Sequence, residues 1–217
     1  MTPKKFPEIK AVIFDVGGVL QLGVKTRHLR KDLHISGVHE SIAKKLKISI
    51  DQYFDSIDTA YVKSMEGQIS KKETLSIISK NLKISEKRIE KLYSDEYKKK
   101  YRKNKGLYKI ARKLKKKGYK IAILSDQWHL SKEVHIPKKD YSFFEKVVVS
   151  CEVGMRKPNR EIYNLILSKL KLKPQETIFI DNQSWNIIPA HKLGMNTILF
   201  VDNENTKIQL KKFGIKI

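Results

Sequence analysis

Five short stretches of this chain are almost continuously apolar: residues 11–16, 120–125, 146–151, 177–181 and 197–201. A strand with one wet face alternates apolar and polar residues. A strand buried on both faces does not, so these runs predict the strands of a parallel sheet. Helical periodicity separates the later runs, over residues 106–117, 160–170 and 187–193. Strands alternating with helices of crossover length predict an α/β fold with a doubly wound, Rossmann-like parallel sheet. Three of the runs end at a reactive side chain: Asp15, Ser125 and Asp181. Sites in open α/β sheets lie outside the carboxyl ends of the strands, so these three are candidate site residues.

The first run is not followed by a quick crossover. Residues 22–104 intervene, and they predict an inserted α-helical unit. Ser49-Ile50-Asp51-Gln52 and Ser70-Lys71-Lys72-Glu73 have the form of capping boxes, in which the hydroxyl and the third side chain satisfy free N–H groups. Tyr53, Ile57, Ala60 and Tyr61 recur at helical spacing, as do Leu75, Ile78 and Leu82, then Ile89, Leu92 and Tyr93. The expected division is an α/β core of residues 1–21 and 105–217 with the helical unit at 22–104. Residues 42–49 and 78–85 nearly repeat one another. Two copies do not make a solenoid, and the repeat reads as one helix-end and Ser-cap device used twice.

Composition bounds the function classes. Apolar residues make up 40% of the 217, enough for a globular core. No apolar run reaches the ~18 residues that span a bilayer. The polar start, residues 1–10, leads straight into a strand, so no signal peptide is expected and a cytoplasmic protein is the default. The single cysteine, Cys151, excludes an intrachain disulfide and a cysteine-based zinc site. Lys and Arg number 46 against 23 Asp and Glu, and only seven of the 46 are Arg. Surfaces that grip phosphate backbones use the bidentate guanidinium. The excess of Lys is therefore read as solvated faces, and a nucleic-acid partner is not expected. Residues 98–120 hold 13 basic residues and no acid, yet Leu107, Ile110, Ala111 and Leu114 keep an apolar stripe, the pattern of a core helix with a lysine-rich outer face. A positive field would also concentrate anionic substrates.

Four constellations carry chemistry. In Phe14-Asp15-Val16-Gly17-Gly18-Val19-Leu20 a carboxylate ends a strand and two glycines permit a tight turn near an anionic ligand. Such a carboxylate can attack phosphorus; Asp before Gly-Gly is equally ordinary turn chemistry. In Leu124-Ser125-Asp126 a strand-end hydroxyl can donate to a phosphoryl oxygen, or simply start a helix. In residues 151–158 Lys157 precedes Pro158, and a fixed ammonium beside carboxylates stabilises gathered negative charge. In Ile180-Asp181-Asn182 and on to Asn186, Ala190 and Gly194, a second strand-end carboxylate could complete an oxygen-ligand magnesium site or act as an Asx cap.

Taken in order, these stretches resemble the haloacid dehalogenase superfamily, in the subgroup with a helical cap inserted after the first strand. Residues 14–20, Leu124-Ser125, residues 151–158 with Glu161-Ile162-Tyr163, and residues 180–194 are similar to its four motifs; Gly67-Gln68-Ile69-Ser70 resembles a cap segment of the subgroup. The resemblance implies that Asp15 is the nucleophile and a Mg²⁺ ligand, and that Lys157 holds the nucleophile and phosphoryl oxygens. It implies phosphoryl binding by Ser125, with Asp126 and Gly18 beside it. It implies metal binding by Asp181, Asn182 and the carbonyl of Gly17, and a small phosphorylated metabolite as substrate for a monomer or homodimer.

Two departures modify that expectation. Phosphatases of the family typically carry a second Asp two residues after the nucleophile, where this chain has Gly17; losing a general acid/base costs roughly 10²–10⁴ in rate. His129 or Asp126 could reach in from the rim, although a His129 facing the helical unit is the preferred reading. Asn182 stands where a second acid is common, which removes a charge from the metal site. Ser125-Asp126 also replaces a more usual Ser-Asn. A metal-free carbon–halogen hydrolase and a catalytically weak binding protein are the alternative readings. Tyr53, Tyr61 and Trp128 are candidates for shaping the pocket, with core packing preferred.

Overall fold

The computed structural model describes residues 8–23 and 37–215. Along the chain come β1 (Ala11–Phe14), β2 (Gln21–Gly23), α1 (Val38–Leu46), α2 (Ile50–Met65), α3 (Lys71–Leu82), α4 (Glu86–Lys100) and β3 (Tyr101–Lys103). The remainder alternates: α5 (Lys105–Lys116), β4 (Lys120–Ser125), α6 (His129–His135), β5 (Lys146–Val149), α7 (Ser150–Val153), α8 (Arg160–Leu170), β6 (Thr177–Asp181), α9 (Ser184–Lys192), β7 (Asn196–Leu199) and α10 (Asn203–Lys212).

The five apolar runs form one sheet in the order β5-β4-β1-β6-β7, every neighbouring pair parallel. The reason the runs do not alternate is visible in the packing. Val12, Phe14, Ile121, Ile123, Ile178 and Ile180 point to one face, where they meet Leu107, Ile110, Ala111 and Leu114 of α5. Ala11, Ile13, Ala122, Leu124 and Phe179 point to the other, against Ile162, Tyr163, Ile166 and Leu170 of α8. Side chains alternate with period two, and both faces are dry. The outer face of α5 leaves Lys105, Lys109, Arg112, Lys113, Lys115 and Lys116 exposed, as an amphipathic core helix requires. No helix among the described residues is long and apolar enough to cross a membrane.

Three strand limits differ from expectation. β1 stops at Phe14, so Asp15 and Val16 have already left the strand. β5 stops at Val149 because Ser150 turns into α7, where its hydroxyl engages the Gln127 backbone. β7 covers Asn196–Leu199 and not 197–201. Helix α9 also starts earlier than the expected 187, at Ser184.

Between β2 and β3 the described residues, 37–100, form four helices and their connections, and residues 24–36 lie outside the described residues. The two ends of this helical unit are joined by antiparallel pairing of β2 with β3, and Asn104 Nδ2 donates to Val19 O at 2.9 Å. Both capping boxes form, Ser49 with Gln52 and Ser70 with Glu73. The near-repeat is the same turn made twice: Lys47 and Lys83 both end their helices in the left-handed region, at φ 58° and 53°, and Ser49 and Ser85 cap the next helices. Tyr53, Ile57, Ile78, Ile89 and Tyr93 bury their side chains together with Trp128 from the loop after β4. Trp128 Nε1 donates to Tyr97 Oη at 2.8 Å. Tyr53 and Trp128 are therefore packing residues, while Tyr61 is half-buried, edge-on to Trp128.

Gly67 marks where this unit meets the sheet layer. It sits at φ +66°, and a Cβ there would lie 3.1 Å from Cys151 O and from the Gly154 backbone. A Gly67→Ala variant combines left-handed strain with a backbone clash. Its expected cost is about 1–2 kcal/mol in urea unfolding. Burial also holds His39, which is surrounded by the rings of Tyr53, Tyr61, Tyr93 and Trp128, down at about 4. The unfolded chain takes up that proton from about pH 6.5 downward and the folded one only near 4. His39 thus contributes stability that is present above pH 6.5 and lost as pH falls toward 4. A His39→Phe variant should lose less stability than the parent between pH 6.5 and 4.5, by up to about 1 kcal/mol per unit.

Candidate active site

The chain runs from β1 to β4 and β5 on one side, then crosses to β6 on the other, so the strand order reverses at the β1/β6 boundary. Crevices of open α/β sheets form at such a reversal. In register, Phe14 lies between Ile123 and Ile180, and Asp15 N donates to Ile180 O at 2.9 Å. That bond brings Asp15 level with Asp181 at the last position of β6.

Lys157 closes the gap. Its Nζ donates to Asp15 Oδ1 at 2.8 Å and to Asp181 Oδ2 at 2.6 Å. Asp15, Lys157 and Asp181 are 6%, 3% and 0% exposed, so this is a buried charge cluster, not a surface pair. The Lys157 backbone N–H donates to Asp126 Oδ1 at 3.1 Å, which anchors the lysine to the loop after β4. Asp181 is held from three directions: Oδ1 accepts from Gln183 N (2.7 Å), and Oδ2 accepts from Asn186 Nδ2 (3.0 Å) as well as from Lys157. Asn186 is in turn fixed by the Tyr163 hydroxyl, which donates to its carbonyl oxygen at 2.9 Å.

Burial pushes the Asp15 carboxyl up to about 6, with Lys157 pulling it down and Asp181 pushing it up. Burial alone would lower Lys157, but the carboxylates of Asp15, Asp181 and Asp126 outweigh it and raise the ammonium above its ordinary value. Burial likewise raises Asp126, against Lys157.

The turn after Asp15 has two unlike glycines. A Cβ on Gly17 would meet nothing within 4 Å, and its φ is not positive. Gly18 is at φ +80°, and a Cβ there would lie 2.5 Å from Asn182 Nδ2. The Gly18 N–H donates within the turn, to Gln21 O at 2.8 Å. What Gly18 provides is room for Asn182, whose buried Oδ1 has no hydrogen-bond partner among the described residues.

A magnesium site suits these donors. Mg²⁺ takes one or two carboxylates and completes its shell with waters and substrate phosphate. Asp15 and Asp181 would supply the carboxylates, and Asn182 Oδ1, without a partner among the described residues, is the kind of atom a hard cation satisfies. Among the described residues no group of three or more His, Cys, Asp or Glu side chains is placed to hold a metal ion, so a magnesium site here rests on two carboxylates and neutral oxygens.

Ser125 stands beside the trio, wholly buried, with its Oγ accepting from Gln127 Nε2 at 3.1 Å. His129 turns away: its Nε2 meets Ile69 O at 3.0 Å and its N–H donates to Ser64 Oγ at 3.1 Å, both in the helical unit. Gln127 is marked by no sequence motif; its partners Ser125, Ser131 and His135 lie within eight residues, and the turn from β4 into α6 brings them together. Tyr163 falls in a motif-like stretch, but its bond to Asn186 is made only between elements.

A model of the haloacid dehalogenase-like hydrolases matches residues 24–200. The chain belongs to that family. Within the curated relatives, the chain is 34% identical over 118 residues to bifunctional epoxide hydrolase 2 of Rattus norvegicus, covering 50% of this chain and 21% of that protein. It is 33% identical over 113 residues to a glyceraldehyde 3-phosphate phosphatase of Methanothermobacter thermautotrophicus, covering 48% of each. The chain thus spans at most about half the length of these relatives. Among solved structures, a family enzyme of Bacteroides thetaiotaomicron in complex with magnesium shares the fold, with a TM-score of 0.68 at 24% identity over 88% of this chain and 92% of that one. The helices flanking the parallel sheet here are those of a haloacid dehalogenase-like hydrolase.

Removing one partner from a buried ionic cluster leaves charge uncompensated. Lys157→Met leaves Asp15 and Asp181 facing each other without a cation. It should lower the stability read by urea unfolding at pH 7 by about 3–5 kcal/mol.

Proposed function

We propose that this chain is a magnesium-dependent phosphomonoester hydrolase acting on a small phosphorylated metabolite through an aspartyl-phosphate on Asp15. The observation that carries this reading is the Lys157 ammonium, 2.8 Å from Asp15 Oδ1 and 2.6 Å from Asp181 Oδ2 in a buried crevice. It fixes the nucleophile's carboxylate and supplies a cation where phosphoryl charge accumulates. The phosphatase among the relatives supports the same class.

In the first step a carboxylate oxygen of Asp15 bonds to phosphorus and the ester P–O bond breaks, its electron pair leaving with the alcohol oxygen. In the second, water attacks the phosphorus of the aspartyl-phosphate. Phosphate departs and the Asp15 carboxylate is restored. Lys157 holds Asp15 against rotation in both steps, and Ser125 donates to a phosphoryl oxygen. Asp15, Asp181, Asn182 and the Gly17 carbonyl would hold Mg²⁺, which when bound neutralises phosphoryl charge and orients the ester for in-line attack. Asp126 acts through Lys157, whose backbone it holds. The helical unit of residues 22–104 serves as a cap over the core of residues 1–21 and 105–217, and its inner residues select the substrate.

Gly17 offers no side chain to protonate the leaving oxygen. Esters of acidic alcohols, which leave without help, should therefore turn over faster than alkyl phosphates. A Cβ at Gly17 meets no described atom within 4 Å, so Gly17→Asp should raise alkyl phosphate turnover on the order of 10²-fold and narrow that gap. Turnover of an aryl phosphate should require Mg²⁺, stop with EDTA, and fall on the order of 10³-fold or more in Asp15→Asn. Absence of turnover across a broad panel of phosphomonoesters with Mg²⁺ overturns the reading.

A further inference from the structure

Behind Ser125 lies a buried polar chain with no part in the chemistry above. Gln127 is its centre. Its backbone N–H donates to Ser150 Oγ at 3.0 Å, and its carbonyl oxygen accepts from the same hydroxyl at 3.1 Å. Its side chain reaches three more groups. Nε2 lies 3.1 Å from Ser125 Oγ, while Oε1 lies 2.7 Å from Ser131 Oγ and 3.1 Å from His135 Nδ1. Gln127, Ser131 and His135 are all buried. Gln21 of β2 donates from Nε2 to His135 O at 3.1 Å, which ties the far end of the chain to the turn that follows Asp15.

The direction of the amide decides what Ser125 can do. With Nε2 toward Ser125, the serine oxygen accepts and its own proton is available elsewhere. With the amide reversed, the serine proton is drawn into the network. Geometry at Gln127 alone permits both, because Ser131 can donate to Trp128 O, 3.1 Å away. His135 breaks the tie. Among the described residues its buried Nε2 has no hydrogen-bond partner. A neutral imidazole carries one proton, and burial keeps this ring neutral, down at about 4. A buried N–H without an acceptor is rarer than a buried acceptor left under-satisfied, which places the proton on Nδ1. The Nδ1–H then donates to the amide atom facing it, which must be the oxygen. The NH₂ end must face Ser125.

We infer that Gln127 and His135 are positioning residues that polarise Ser125, so that its hydroxyl accepts from the amide behind it and donates only forward, to a phosphoryl oxygen in the crevice. The forward half of this inference rests on the phosphatase reading; the polarity of the chain does not. Polarisation removes a choice from the hydroxyl before the substrate arrives, which is preorganisation of a charge-directed donor.

The two halves separate experimentally. Nitrogen-15 NMR of the labelled wild-type protein at pH 7 should show His135 as the Nδ1-protonated tautomer. An Nε2-protonated ring overturns the inference whether or not the protein is a phosphatase. Binding of inorganic phosphate in the presence of Mg²⁺, measured by calorimetry, reads the forward half. Ser125→Ala should weaken it roughly 10–30-fold and Gln127→Met roughly 3–10-fold, whereas the double variant should bind no more weakly than Ser125→Ala alone. Losses that multiply in the double variant show that Gln127 acts without Ser125 and overturn the inference. His135→Asn keeps a donor near the Nδ1 position and should stay within about threefold of wild type, while His135→Phe should match Gln127→Met; equal losses in both His135 variants reduce the residue to packing and overturn its role. Thermal melts identify any variant that fails to fold, and the wild-type tautomer keeps the test decisive in that event. Phosphate binding absent from a wild type with the Nδ1 tautomer overturns the forward half together with the phosphatase reading.

Discussion

The ammonium of Lys157, buried between Asp15 and Asp181, is the constraint to which the surrounding structure answers. An unpaired charge in that position would cost several kcal/mol, and so would either carboxylate without it. The cluster therefore requires two strand ends side by side and a third chain segment delivering the lysine from above them. β1 and β6 meet the first requirement by lying in register as neighbours. The turn from α7 into residues 155–159 meets the second, pinned by Asp126 at the Lys157 N–H. Asp181 is immobilised by Gln183 and Asn186 in addition to Lys157.

Polar satisfaction organises the next layer outward. Ser125, Gln127, Ser131, His135 and Ser150 bury their hydrogen-bonding atoms beneath the end of β4, and Trp128 in the same loop reaches into the aromatic cluster of the helical unit. One loop thus touches the parallel sheet on one side and the helical unit on the other. His129 completes that second contact by bonding Ile69 and Ser64. The family's helical insertion is consequently coupled to the site through packing and hydrogen bonds at the same seven-residue stretch, 125–131.

The departures from the family pattern have distinct physical meanings. Gly17 leaves open space beside the nucleophile. The backbone there leaves room for a Cβ among the described residues, and the chain has none. Asn182 is packed over Gly18 so closely that any Cβ at 18 would strike it, and its oxygen is left bare.

The sheet was legible because strands buried on both faces leave continuous apolar runs, and the helical insertion because capping boxes and 3.6-residue periodicity are local. Asp15, Ser125 and Asp181 could be picked out as strand ends, and Lys157 by its place in a motif. Strand limits were less legible: β5 looked two residues longer because Ser150 and Cys151 are buried as a helical turn, and burial looks the same in composition whichever backbone carries it. The excess of lysine showed itself as the wet face of α5, which its apolar stripe already implied. Sequence alone determined which residues had to be inside and which could carry chemistry. Only the tertiary structure decided their pairings: Lys157 with two carboxylates 142 and 24 residues away, and Gln127 between Ser125 and His135. Those pairings are satisfied across elements that local propensity does not connect, because a buried charge or amide takes its partner from whatever the fold brings within about 3 Å.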